Sequence, residues 1–126
     1  MSEWTSPEIV VQRQLDAYNA RNVEAWLATY APDAKQYEHP DKLLANGHAE
    51  MRARIQTRFA EPDLHAKLIK RSVMGNVVID HEDVTRNLPE GIGRVELVCI
   101  YVVERGLIQS ASFLFGPPFI MQARVS

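Results

Sequence analysis

From Leu64 to Phe115 the chain is broken by three glycine-bearing turns, "MGN", "PEGIG" and "ERG". Between the turns, runs rich in Val, Ile, Leu and Tyr alternate with polar residues at a period of two, as a strand with two unlike faces requires. Glycine supplies the backbone freedom that tight hairpins need. The spacing predicts strands near 64–74, 76–86, 95–104 and 107–115. Connections this short join neighbours running in opposite directions, so the segment predicts an antiparallel meander.

Ahead of the meander the period changes to that of a helix. Thr5 and Glu8 have capping-box spacing, Pro7 suits the first turn, and Val11, Leu15 and Tyr18 recur on one face that also carries Gln14. Asn22 is placed to cap a second helix carrying Val23, Trp26, Leu27 and Tyr30, with Pro32 expected to end it. "AKQYEH" then reads as a short strand with Lys35, Tyr37 and His39 on one face and Gln36 and Glu38 on the other. A loop is expected through Gly47. A third helix follows, with Met51, Ile55 and Phe59 inward and Arg52, Arg54 and Arg58 on a solvated face. Helices first and a meander second is the pattern of an α+β domain, and 126 residues suit one domain, 1–126. "FIMQARVS" is left as a tail of open role.

The strand 95–104 carries two messages. Val95, Leu97, Cys99, Tyr101 and Val103 hold no charge and should meet the helices. The opposite face places Val98, Ile100 and Val102 between Glu96 and Glu104, and a solvated face does not normally carry three such residues in a row. Another part of the chain or a second subunit must cover it. The subunit is favoured, giving a homodimer through Val98, Ile100 and Val102.

A net charge of -2 gives no electrostatic case for nucleic acid or an anionic membrane. One cysteine rules out an internal disulfide and a thiolate cage. "MSEWTSPE" lacks the basic start and apolar stretch of a leader, and no window is long enough to span a bilayer. A cytoplasmic chain is expected. His39, His48, His65 and His81 show no metal-ligand spacing, and no glycine-rich phosphate loop occurs, so neither metal nor cofactor is expected.

The segment "VVQRQLDAYNARNVEAWLATYAPDAKQYEHP", with "NGHAEMRARIQTRFA" and the closing "SFLFG", resembles the nuclear transport factor 2-like superfamily, in particular its SnoaL-like and ketosteroid-isomerase-like members. The resemblance implies a cone-shaped α+β barrel: three helices inside a curved, mostly antiparallel sheet, with an apolar pocket between. Trp26, Tyr30, Tyr37, Ile55, Phe59, His81, Cys99, Tyr101 and Phe113 are the expected pocket residues. A ketosteroid isomerase uses a carboxylate base and an oxyanion hole of a tyrosine and a protonated acid. By resemblance the tyrosine falls on Gln14, the base on His39 and the acid on Cys99, and all three residues differ in type.

At the base position, an imidazole is a stronger base than an aspartate near pH 7. His39 is therefore the expected proton carrier, with Gln14 and Tyr18 as hydrogen-bonding partners of a substrate oxygen. The competing reading is that His39 caps its strand. "IDHED" is the other polar cluster. His81 and Asp83 share one face, Asp80 and Glu82 the other, and alternation leaves open which points inward. Cys99, in an apolar strand with no base beside it, reads as core. The implied function is an isomerase, cyclase or lyase acting on a small apolar carbonyl compound, or else a non-catalytic ligand-binding or dimerisation module.

Overall fold

The computed structural model describes residues 5–123, and the "MSEW" start and the last three residues of the tail lie outside the described residues. Three helices pack against one curved seven-stranded sheet. Helix α1 spans Pro7–Ala20. Its cap is Ser6 rather than Thr5: the Ser6 hydroxyl accepts from the Ile9 amide at 3.3 Å, and Pro7 takes the position where no amide is needed. Arg21 ends it in the left-handed region, with φ 55°. The Arg21 guanidinium donates to the carbonyls of Pro62 and Leu64, and Asn19 bonds both the amide and the carbonyl of Ala66. These contacts lay the end of α1 across the start of the meander.

Helix α2, Val23–Leu27, is capped by Asn22 as expected but stops one turn early. Tyr30 opens strand β1, Tyr30–Glu38, and Pro32 lies inside that strand where its pairing is irregular. Both readings place Tyr30 next to Trp26, with ring centroids 4.7 Å apart. The expected loop before Gly47 contains β2, Lys42–Asn46, antiparallel to β1. Helix α3, Gly47–Phe59, buries Met51 and Ile55.

The meander forms as expected: β3 is His65–Met74, β4 Val77–Leu88, β5 Gly91–Glu104 and β6 Leu107–Phe115. The tail adds β7, Phe119–Ala123, which pairs with the first residues of β5 where β6 has ended. Gly93 allows this approach, since a Cβ there would lie 2.9 Å from the Phe119 carbonyl. The sheet runs β2-β1-β6-β5-β4-β3, antiparallel except for β1 beside β6.

Alternation now fixes the two faces. Val78, Asp80, Glu82 and Val84 of β4 and Val95, Leu97, Cys99, Tyr101 and Val103 of β5 are buried against the helices. Asp80, wholly buried, is held by Arg71 of β3 through two bonds of 2.7 and 2.9 Å, and Gln12 of α1 accepts a third from the same guanidinium. Val98, Ile100 and Val102 face the other way. Ile100 is 37% and Leu114 of β6 is 52% exposed, so described residues leave the apolar outer strip uncovered.

Candidate functional site: a hollow beneath the curved sheet

Between the helices and the concave side of the sheet lies a hollow lined by residues of α1, α2, β1, α3 and the meander. The hollow gives about 80 Å³ to the centre of a water-sized sphere. One water needs about 10–15 Å³ on that measure, so the space suits several waters or a small organic molecule. The helical period of α1 sends Gln14 and Tyr18 into it. Trp26 and Tyr30 enter from the α2–β1 junction, Ile55 from α3, and Cys99, Tyr101 and Phe113 from the sheet.

Four expected site residues are not brought there. Phe59 stands behind the wall, edge-on to Tyr18 at 5.4 Å and to Trp26 at 6.4 Å between ring centroids. Gln36 is the residue this part of β1 sends to the hollow. Tyr37, half-buried beyond the irregularity that follows Gln36, and His39, one residue past the end of β1, do not line it. His39 is exposed, and its backbone amide donates to the Phe113 carbonyl at 2.8 Å. His39 is not among the residues that line the hollow, so the imidazole stands outside the place expected for it. His81 is outward, 2.6 Å from Glu96, while Asp83 pairs with Arg94.

In place of the histidine the hollow has a carboxyl. Glu82 is 5% exposed and sits on its wall. Burial, then the negative charge of Asp80 two residues away, push its pKa up to about 7, against the pull of Arg71 and the contact with the Cys99 thiol. A carboxyl near half-protonation at neutral pH can both take and give a proton. Burial also raises the Cys99 thiol and the Tyr30 and Tyr101 phenols, which therefore stay neutral.

Among the described residues, three buried polar atoms on the wall have no hydrogen-bond partner: Gln14 Oε1, Trp26 Nε1 and Tyr30 Oη. An unmet buried polar group costs about 1–3 kcal/mol. The indole and phenol can donate, and the Gln14 oxygen can accept.

The charged part of the wall was also missed at the sequence level. Arg54 and Arg58 of α3 and Arg86 of β4 line the hollow, although the first two were expected in solvent with Arg52. Only Arg52 turns away, to pair with Glu24. A signal for Glu82 did exist: Asp80 and Glu82 share their parity with Val78 and Val84, an apolar frame at both ends. The arginines gave none, since a long side chain beside an apolar helix stripe can reach either way. Among the described residues no cluster of His, Cys, Asp and Glu could hold a metal ion, and no helix is long and apolar enough to cross a membrane.

A sheet curved over three helices with a hollow between them is the nuclear transport factor 2-like cone. The chain belongs to the SnoaL-like domain family, whose model matches residues 11–111. No curated protein matches it by sequence. Among solved structures it is similar to an uncharacterised cystatin-fold protein from Novosphingobium aromaticivorans, with TM-score 0.81 and 22% identity over 87% of this chain and 98% of that one. A SnoaL-like polyketide cyclase (so described provisionally) from Jannaschia gives TM-score 0.74 and 17% identity, covering 86% of this chain and 84% of that one. A ketosteroid-isomerase-like protein from Catenulispora acidiphila, in complex with trimethylamine, gives 0.72 and 17%, covering 86% and 85%. At these identities the likeness is one of fold, which hosts many chemistries.

Proposed function

We propose that the chain, acting as one domain, binds a small, mostly apolar, carbonyl-bearing compound in the hollow and moves a proton on it with Glu82. The class is isomerase, cyclase or lyase. The observation that carries this reading is the buried Glu82 carboxyl on the wall of the hollow, with its pKa near 7. Tyr30 and Trp26 offer the donors for the substrate oxygen, and Gln14 accepts from a hydroxyl or enol. His39, outside the hollow, takes no part.

Thermal unfolding with a panel of small hydrophobic ketones and lactones identifies ligands, because a binder raises the midpoint by mass action. With a turned-over ligand in hand, Glu82→Gln should lower turnover by about 10²–10⁴-fold, the usual worth of a general base, with binding retained. His39→Ala should turn over at the wild-type rate. A Glu82→Gln enzyme as fast as wild type would overturn the assignment. The missing oxyanion-hole acid favours a second reading, a ligand-binding module without catalysis, which predicts midpoint shifts but no product.

The partner in the same proposal is a second copy of the chain. The apolar strip of Val98, Ile100, Val102 and Leu114 on the outer sheet face supports it. Ile100→Glu should convert a dimer into a monomer or an aggregate, measured by light scattering. A wild-type monomer at micromolar concentration would remove the interface.

A further inference from the structure

The arginines of the hollow are unequally compensated. Arg86 holds Glu61 through two bonds, Nε to Oε1 and Nη2 to Oε2, both 2.8 Å, and the Asn87 amide also donates to Oε1 at 2.9 Å. Arg58 reaches the same carboxylate at 3.7 Å. Arg54 has no carboxylate partner among the described residues, and its guanidinium is satisfied only by the Gln36 amide oxygen at 3.0 Å. It is half-buried, one helical turn from Arg58 and on the same wall. Like charges at that spacing repel. Burial and the charge of Arg58 both press the Arg54 guanidinium below its ordinary pKa. A guanidinium offers five donors in a fork that fits a carboxylate, and Gln36 takes one.

We infer that Arg54 seats a carboxylate, so that the ligand of the hollow is a small organic acid with an apolar body. The inference rests on the reading that the hollow takes a ligand. Arg54 is the guanidinium of this wall that no carboxylate engages among the described residues, whereas Arg58 and Arg86 both reach Glu61. The apolar side is offered by Ile55, Leu97, Phe113 and Phe115, and the neutral donors by Trp26 and Tyr30. The carboxylate at Arg54 then fixes which end of the molecule meets Glu82, giving the arginine a positioning role.

The test uses the whole chain and three matched probes: phenylacetate, its methyl ester and phenylacetone, titrated by calorimetry at constant ionic strength. At pH 6 Glu82 is mostly protonated while phenylacetate is ionised, so the wall adds no repulsion. Phenylacetate should bind wild type at least ~10-fold more tightly than the ester, the worth of a charge-assisted hydrogen bond. Arg54→Gln should erase that preference without changing affinity for the ketone, and Arg54→Lys should retain part of it, because a point charge lacks the fork. Circular dichroism of each variant confirms folding, and Arg54→Lys carries the test where the glutamine variant fails to fold. Equal binding of acid and ester, or a preference unchanged in Arg54→Gln or Arg54→Lys, overturns the carboxylate while a bound ketone leaves the function reading intact. Binding of none of the three overturns both.

Discussion

Arg71→Met should destabilise the domain by about 3–5 kcal/mol, the usual consequence of removing one partner from a buried ion pair. Asp80 has no exposure, and Arg71 satisfies both of its oxygens while also bonding Gln12 of α1. With the guanidinium gone, the carboxylate stays buried beside Val78 and Cys99 and two residues from Glu82. Domains of this size hold about 5–15 kcal/mol in total, so the variant should lose a large part of its stability. Urea unfolding measures it, and a loss under about 1 kcal/mol would mean that water reaches Asp80. Asp80→Leu added to Arg71→Met should recover much of the loss, since a packed apolar pair replaces an orphaned charge.

Glu82→Gln should change the slope of stability with pH. Below pH 4.5, the ordinary value, Glu82 is protonated in the folded and unfolded states alike, and its charge costs nothing. Between 4.5 and about 7 the unfolded chain releases the proton and the folded one keeps it, so stability falls as pH rises. Above 7 both forms are ionised and the full cost, about 3 kcal/mol, is in place. Wild type should therefore be less stable at pH 8 than at pH 5 by an amount that Glu82→Gln largely removes. Glu61, held by Arg86 below the ordinary range, acts with the opposite sign and below 4.5, so the two windows do not overlap. Parallel urea curves for variant and wild type at both pH values would mean that the Glu82 carboxyl is solvated.

The same physics explains what could be read before the fold was known. The central strands announced themselves because glycine turns and alternation agree, and alternation put Cys99 and Tyr101 in the hollow. Helical period did the same for Gln14 and Tyr18. Strands β2 and β7 are five residues each, too short for a period to emerge, and they form because β1 and β5 offer free edges. His39 and Glu82 show a sharper limit. In "KQYEH" the faces read Lys-Tyr-His and Gln-Glu. In "DHED" Val78 and Val84 frame one face while Ile79 flanks the other, so period two separates the faces and leaves only that frame to rank them. Curvature and neighbouring strands decide which faces in, and they decided for Gln36 and for Glu82. The resemblance placed the proton carrier on β1, whereas the buried acid stands on β4.

Strand β5 alternates between two tasks, with Cys99 and Tyr101 toward the hollow and Ile100 toward the outside. A single residue inserted before Leu97 would exchange these sets, turning valine and isoleucine into the cavity and a thiol and a phenol outward. Capacity for a guest and capacity for self-association are thus written in one reading frame. An insertion within that strand disturbs both at once, while point substitutions can tune either side alone.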